Sequence, residues 1–307
     1  MDISIVIPAF NEAENVEKLY SELVSALKRT SKNREIIFID DGSRDNTFAK
    51  LEKIAKKDRT VKIVKFTRNF GQTAALLAGF KKAKGNVIVS MDADLQNDPS
   101  DIPRLLKKLN EGYDVVCGWR ANRKDSFGKV ISSKFSNWLM GFLMDLSIHD
   151  SGCTLRAYRR ETVNDLDICG ETHRYIPAII ASQGFKVAEI PVNHRKRFRG
   201  KTKYGLTRLP KGLLDLLTLK FLVTYGSRPV HIFGGAGLGL FGLGILGGLL
   251  LAYRKFWLGM NIGNSPLLTL VLLLLILGVL FVLNGFTAEM IIRTRTTETY
   301  KIEKTVN

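Results

Sequence analysis

The chain has 307 residues, 45% of them hydrophobic and 24% charged, which is enough for one or two globular domains with a sizeable core. Its formal net charge is +17, but no zinc-finger spacing or aromatic nucleic-acid motif accompanies that excess, so nucleic acid is set aside as a partner in favour of anionic lipid headgroups. Three cysteines, Cys117, Cys153 and Cys169, lack metal-site spacing and read as free thiols in a reducing compartment.

The N-terminus, MDISIVIPAFNE, has a short apolar run and no basic leader, so no cleaved secretory signal is expected. Ile- and Val-rich runs then recur at 3–8, 35–40, 61–66, 86–92 and 114–119 and predict five strands. Between them, 12–30, 45–57, 71–83 and 100–110 predict helices, the last opening on the start signals Asp98, Pro99 and Ser100. This alternation predicts a mostly parallel sheet with helices on both faces.

Two segments further along carry broad apolar faces at helical spacing, 126–146 and 209–229. They predict helices lying in a membrane interface, with ordinary core packing as the alternative. Residues 231–252 and 267–288 contain no Asp, Glu, Lys or Arg. Each matches the length that crosses a hydrocarbon core of about 30 Å as a helix. Ten Lys or Arg against the single acid Asp215 lie between 195 and 228, and the tail adds Arg293, Arg295, Lys301 and Lys304, whereas the connection near 254–265 has only Arg254 and Lys255. The positive-inside bias therefore predicts an integral membrane protein with the α/β domain and both termini cytoplasmic. Small residues four apart in the first span, Gly235 with Gly239 and Gly244 with Gly248, are read as sites of close helix contact, within the hairpin or between subunits.

Ligands on parallel sheets bind at the carboxyl ends of strands. Asp40 and Asp41 end the second predicted strand, and Asp92 and Asp94 the fourth. Four acids along one edge repel one another unless something positive sits among them. A divalent cation carrying a diphosphate meets that need, with Asp94 as direct ligand, since Mg²⁺ takes one or two carboxylates and completes its shell with phosphate oxygens and water. The plain alternative is a polar turn. His149, His173, His194 and His231 form no pair with ligand spacing and read as structural.

VIPAFNEAENV (6–16), IDDGSRDNT (39–47), NFGQTAALLAGF (69–80) and MDADLQNDP (91–99) resemble, in order, the motifs of family 2 glycosyltransferases with the GT-A fold. DSGCTLRAYRRE (150–161), HRKRFRGKTKYG (194–205) and the terminal apolar pair resemble, more narrowly, the polyprenyl-phosphate glycosyltransferases, a group that includes dolichyl-phosphate mannose synthases and bacterial undecaprenyl-phosphate sugar transferases. The resemblance implies that Pro8, Phe10 and Glu12 border the nucleoside pocket and that Asp40 and Asp41 contact base or ribose. Phe10 stands where Tyr is frequent, which removes a hydroxyl contact. Asp92, Asp94 and Gln96 match the D-x-D-x-Q metal and diphosphate motif, with Mg²⁺ or Mn²⁺ as cofactor. Arg199 and Lys203 match a loop that closes over donor and acceptor. Arg120 and Lys134 are candidates to hold an acceptor phosphate. Asp150 is open between an acceptor-side role and a turn cap.

The expected architecture is thus α/β: a GT-A, Rossmann-like, mostly parallel sheet over 1–205, with the interfacial helix at about 126–146. A juxtamembrane amphipathic helix follows at 206–229, a transmembrane hairpin at 230–289 and a cytoplasmic tail at 290–307. The expected reaction is inverting transfer of one sugar from a nucleotide donor to polyprenyl or dolichyl phosphate, with membrane lipids as surroundings and a homo-oligomer, a tetramer, favoured by the resemblance. UDP-glucose or a related UDP-sugar is the favoured donor and GDP-mannose the alternative. A non-catalytic nucleotide-binding membrane scaffold is the reading from a different class.

Overall fold

A computed structural model of the chain describes residues 2–28, 30, 33–121, 141, 148–164, 166, 168, 170, 172–195, 218, 220–221, 229–263 and 265–293. Two compact units divide it, Met1–Leu217 and Thr218–Asn307.

The first unit is built on a seven-stranded sheet of order β3-β2-β1-β4-β6-β5-β7. Its strands are β1 (Ile3–Ala9), β2 (Arg34–Asp40), β3 (Val61–Lys65), β4 (Val87–Ser90), β5 (Val115–Trp119), β6 (Arg156–Arg159) and β7 (Val187–Pro191). The five expected strands are all present. Ile5, Ile7, Ile36 and Phe38 are fully buried, each contributing about 1.5–3 kcal/mol relative to exposure. Burial on both faces is what turns such strands into unbroken apolar runs.

Helices α1 (Val16–Leu27), α2 (Thr47–Lys57), α3 (Gln72–Lys82) and α4 (Ile102–Leu109) fill the predicted connections. In α4 the buried residues Ile102, Leu105, Leu106 and Leu109 recur at helical spacing. The Asp98 side chain accepts from the Ser100 N–H at the start of a 3₁₀ turn, Pro99–Asp101, that leads into the helix. α1 begins four residues later than its apolar pattern suggested, because Glu12–Asn15 forms a turn, with the Asn15 N–H donating to the Glu12 carbonyl.

Two elements depart from the expected alternation. β6 is antiparallel to both β4 and β5, and β7 lies beyond β5 at the edge, parallel to it. A further helix, α5 (Ile176–Ser182), precedes β7.

Topology fixes where a ligand can sit. β1 has β2 on one side and β4 on the other, both parallel, so the chain reverses its direction of travel across the sheet at β1. Ala9 pairs with Asp40, and Val6 with Ser90. The ends of β1, β2 and β4 therefore open onto one edge of the sheet.

The second unit contains helices α6 (Pro229–Phe256) and α7 (Pro266–Arg293), both long and apolar enough to cross a membrane. Leu238, Leu246, Leu249 and Ile276 are 68, 63, 62 and 58% exposed, whereas a core helix of a soluble domain would bury such side chains. The two helices meet through glycine. A Cβ on Gly237 would stand 2.6 Å from the Gly278 carbonyl oxygen, and one on Gly278 would stand 2.8 Å from Phe241 Cβ. Of the glycine pairs singled out in the sequence, Gly244 faces Leu275 and Gly248 makes only a 3.8 Å contact with Val271. Gly235 and Gly239 have open space around them, so that pair lies off the seam. The expected amphipathic segments, 126–146 and 209–229, fall outside the described residues except for Gly141, Thr218, Lys220, Phe221 and Pro229, the last of which opens α6.

Candidate active site

Pro8 lies within β1, paired with Ile39 of β2, and the loop that follows the strand carries Phe10 and Glu12. Asn11, between the last two, has φ 53°, a left-handed conformation that Asn tolerates better than most residues. Its N–H donates to Ser43 Oγ at 2.9 Å, and its Oδ1 accepts from the Arg44 N–H at 2.8 Å. The Glu12 N–H donates to Thr47 Oγ1 at 2.8 Å, and the Ala13 N–H to Asp45 Oδ2 at 3.2 Å. Burial alone would raise the Asp45 carboxyl, but bonds from Thr47 and Ala13 outweigh it and hold the group below the usual carboxylate range. The β1 and β2 loops are thus laced together before any ligand arrives.

Asp40 and Asp41 leave β2 buried, at 0 and 4% exposure, with different fates. Both Asp41 oxygens accept backbone N–H groups, from Phe70 at 2.7 Å and Gly71 at 3.0 Å, which tie down the loop before α3. Burial nevertheless pushes its carboxyl up, with Asp40 adding to the shift. Asp40 Oδ1 accepts from the Ser43 N–H at 3.0 Å, while its buried Oδ2 has no hydrogen-bond partner among the described residues. Gly42 follows at φ 69°, where a Cβ would fall 2.4 Å from the Arg68 backbone, so only glycine fits that turn. Around it lies a cavity of about 300 Å³ lined by Phe10, Phe66, Ser43, Arg44, Lys65 and Arg68, together with Gly42, Thr67 and Asn69. Two aromatic rings and three cations form a wall suited to a planar base and an anionic neighbour.

On the other side of β1, Asp92 and Asp94 follow β4. Asp92 Oδ1 accepts from Gln72 Nε2 at 2.7 Å, and the Thr154 hydroxyl also bonds the carboxylate. Burial first, then the charge of Asp94, pushes Asp92 up to about 6, with Glu12 adding to the rise and Arg120 opposing it. Asp94 is 7% exposed, and its Oδ1 accepts from the Gln96 N–H at 3.1 Å. Leu95 between them is held at φ 61°. A left-handed leucine costs on the order of 1–3 kcal/mol and persists only where its surroundings over-determine it. Those surroundings are visible. Asn97 Nδ2 donates to Thr154 Oγ1 at 3.0 Å, the Arg195 N–H donates to the Gln96 carbonyl at 2.9 Å, and the Arg195 guanidinium pairs with Glu22 and Asp98 at 2.6 and 2.7 Å.

The four acids are therefore split. Asp40 and Asp41 belong to the cavity side, and the carboxylate that bears on the Asp92–Asp94 pair from β1 is Glu12. Among the described residues no three of His, Cys, Asp and Glu form a metal cage. Two carboxylates crowded in one turn, Asp92 pushed up by burial and by its neighbour's charge, fit Mg²⁺ or Mn²⁺, which bind through few protein ligands and share phosphate oxygens.

The third part of the site comes from β5, β6 and the chain before β6. Arg120 is engaged by Asp150: Nε to Oδ2 at 2.7 Å, Nη2 to Oδ1 at 2.9 Å, and its N–H to Oδ2 at 3.3 Å. Arg156, 3% exposed, donates to the carbonyls of Ser151, Cys153 and His173 at 2.6, 2.8 and 3.0 Å, so the DSGCTLR segment is wrapped around one buried guanidinium. His173 Nδ1 lies 3.1 Å from Thr73 Oγ1 in α3. Cys117 and Cys153 are free and buried, as expected of structural thiols. Lys134, Arg199, Lys203 and Cys169 lie outside the described residues.

Sequence reasoning passed over Gln72, Thr154 and Asn97. Gln72 sits in a quoted motif at the first position of α3, directly after Gly71 at φ 93°; a polar residue opening a helix beside the acidic turn was the available signal. Thr154 follows from the antiparallel register, because Ser90 pairs with Arg156 and continuing it two positions sets residue 92 opposite residue 154.

Residues 4–167 match the family model described as Glycosyl transferase family 2. A dodecaprenyl-phosphate galacturonate synthase of Rhizobium johnstonii is 40% identical over 299 residues, covering 96% of this chain and 88% of that protein. An undecaprenyl-phosphate 4-deoxy-4-formamido-L-arabinose transferase of Shewanella sediminis is 38% identical over 291 residues, covering 94% and 86%. Among solved structures, the glucosyl-3-phosphoglycerate synthase of Mycobacterium tuberculosis in complex with Mn²⁺, UDP and phosphoglyceric acid aligns with a TM-score of 0.57. At 21% identity over 71% of this chain and 78% of that one, the likeness concerns the fold.

Proposed function

This chain belongs to glycosyl transferase family 2, and from that premise we propose that it transfers one sugar from a UDP-sugar to a polyprenyl phosphate with inversion at the sugar carbon. The observation that carries the reading is the pairing, at one sheet edge, of an aromatic and cationic cavity with the crowded Asp92–Asp94 turn. The relatives' names support the acceptor class.

The chain's own groups divide the work. Phe10 and Phe66 face the nucleobase, and the unpartnered Asp40 Oδ2 accepts an N–H from the base or an O–H from the ribose. Gln72 and Thr154 fix the Asp92 carboxylate so that both acids point their charge at one place, with Asp94 as the principal ligand and Gln96 beside it. When bound there, Mg²⁺ or Mn²⁺ offsets the charge that the diphosphate gains as the glycosidic bond breaks. The acceptor phosphate is already ionised at neutral pH and needs cationic guidance more than a base. Arg120, held by Asp150, supplies that guidance on the β5 side, and Lys134, Arg199 and Lys203 are assigned to the same task. The acceptor oxygen attacks the anomeric carbon on the face opposite the leaving diphosphate, and the nucleotide departs.

UDP-glucose is the starting donor. The galacturonate and 4-deoxy-4-formamido-L-arabinose in the relatives' names widen the set to uronic and amino-pentose UDP-sugars. α6 and α7 anchor the catalytic unit to the cytoplasmic leaflet, a placement supported by the cationic stretch that precedes α6. The test is transfer of labelled sugar from a panel of UDP- and GDP-sugars into polyprenyl phosphate, with Asp94→Ala alongside. A lipid product from one UDP-sugar, reduced about 10²- to 10³-fold in the variant, is expected. A GDP-sugar as sole donor would overturn the base assignment, and nucleotide binding without any lipid product would favour a scaffold.

A further inference from the structure

We propose that Glu189 of β7 is a positioning residue for the acceptor side of the site, setting the place of Asp150 and, through Asp150, the direction of the Arg120 guanidinium. The inference rests on the reading that Arg120 guides an anionic acceptor.

Glu189 lies outside every motif of the site, yet its carboxylate is engaged by the segment that ends in Asp150. Oε2 accepts from the His149 N–H at 2.8 Å and stands 3.0 Å from His149 Nδ1, while Oε1 accepts from the Asp150 N–H at 3.2 Å. Two successive backbone donors are therefore fixed by one side chain, itself 12% exposed. Bonds to an ionised acceptor are roughly twice as strong as neutral ones. Asp150 in turn gives both oxygens to Arg120, with Oδ1 also accepting from the Gly152 N–H at 3.2 Å.

The register explains why the clamp is stiff. Glu189 pairs with Cys117 in β5, and two residues further along β5 the Trp119 ring stacks on His149, with centroids 4.4 Å apart and planes at 24°. The same strand pair thus holds residue 149 by its backbone and by its ring. Packing does not do this alone, since a cavity of about 320 Å³ opens beside Trp119, Ile148, His149 and Glu189. Without the carboxylate, the chain ahead of Asp150 has room to move. A displacement of about 1 Å in a positioning group is enough to cost on the order of 10²-fold in rate.

The experiment compares wild type, Glu189→Ala, Glu189→Gln, Asp150→Asn and the double variant Asp150→Asn/Glu189→Ala in the full chain. Glu189→Ala is expected to lower kcat/KM for polyprenyl phosphate about tenfold or more, with UDP affinity within twofold of wild type. Glu189→Gln is expected to recover part of the loss, because its amide oxygen still accepts. In the double variant, Glu189→Ala should add little to Asp150→Asn, since both act on one group. Independent, multiplying effects would overturn the proposal, as would a Glu189→Ala enzyme equal to wild type. Should Asp150→Asn abolish turnover, amide exchange of a peptide covering 148–155 decides: faster exchange in Glu189→Ala than in Glu189→Gln is expected, and equal exchange sinks the idea. Wild type inactive with every donor would count against the proposed reaction, while the exchange result would still report on the clamp.

Discussion

On the β1–β3 side of the catalytic unit, the loops that frame the site are bonded mainly to one another: Asn11 to Ser43 and Arg44, Asp45 to Ala13, and Asp41 to the Phe70 and Gly71 amides. Across the sheet, from β4 to β7, the corresponding segments gather on a few charges, with the buried Arg156 under 151–153 and the partly buried Glu189 behind 149–150. The first arrangement spreads its cost over many short-range contacts that survive the loss of any one. The second concentrates it, because a single side chain satisfies several backbone groups that water reaches poorly. A buried group left unpaired costs about 1–3 kcal/mol, so deletions on the two sides should differ in severity.

Arg156→Ala tests the concentrated side hardest. Four carbonyls, those of Ser151, Cys153, His173 and Arg174, lose a charged donor at once, and a loss of about 3 kcal/mol or more in stability of the catalytic unit is expected, read as the midpoint of denaturant unfolding. Arg156→Lys should recover little, because one ammonium cannot reach what the planar fork spans. On the laced side, Asp41→Ala removes the acceptor of two amides and is expected to cost about 1–3 kcal/mol, with UDP affinity falling as the loop before α3 loosens. An Asp41→Ala loss equal to that of Arg156→Ala would erase the contrast between the two sides.

The same contrast governs how much was legible in the sequence. β1, β2, β4 and β5 could be read because strands buried on both faces must be largely apolar, and the acids that follow β2 and β4 fall at the strand ends by default; β3, VKIVK, lies at a sheet edge but still carries three branched apolar residues in five. β6, RAYR, and β7, VAEIP, gave no such run: one is four residues long with arginine at both ends, and the other lies at the sheet edge, half-buried along its length. Glu189, Gln72 and Thr154 acquire their roles through bonds across 40, 20 and about 60 residues of chain, which no local spacing encodes. The division of Asp40 and Asp41 between an open oxygen and a loop tie depends on where residues 70 and 71 come to rest. In the apolar hairpin, glycine abundance was plain, but the seam runs through Gly237 and Gly278 rather than Gly235 and Gly239. An apolar helix with no polar face leaves its phase unmarked.

A smaller effect separates both sides from the opposite edge of the sheet. There the Glu35 side chain is fully buried and accepts from Ser4 Oγ, Lys62 Nζ and the Lys84 N–H. Burial by itself would raise its pKa, but these bonds outweigh burial and the net shift is downward from 4.5. A carboxyl with a lower pKa folded than unfolded stabilises the fold above its unfolded value, and that contribution is lost as pH falls through the folded value. Unfolding midpoints should therefore drop on acidification below about pH 4.5, and Glu35→Gln should be less stable at pH 7 and flatter across that window. An unchanged slope in Glu35→Gln would assign the acid sensitivity to other carboxyls, with Asp45 on the laced side the first to examine.

The smallest perturbation probes the concentrated side without altering it. Burial pushes the Cys117 thiol up to about 12 and that of Cys153 up to about 11. At pH 8 the thiolate fraction is then on the order of 10⁻⁴ for the first and 10⁻³ for the second, before access is considered. Iodoacetamide at pH 8 should leave both unmodified in the native protein, by peptide mass spectrometry, and modify both after denaturation. Cys153 lies within the segment that Arg156 gathers, so its labelling rate reports local opening there, whereas Cys117 in β5 reports opening of the sheet. In Arg156→Lys, Cys153 should become reactive before Cys117. Simultaneous labelling would mean that the segment and the sheet open together, and that the guanidinium holds the whole unit rather than one loop.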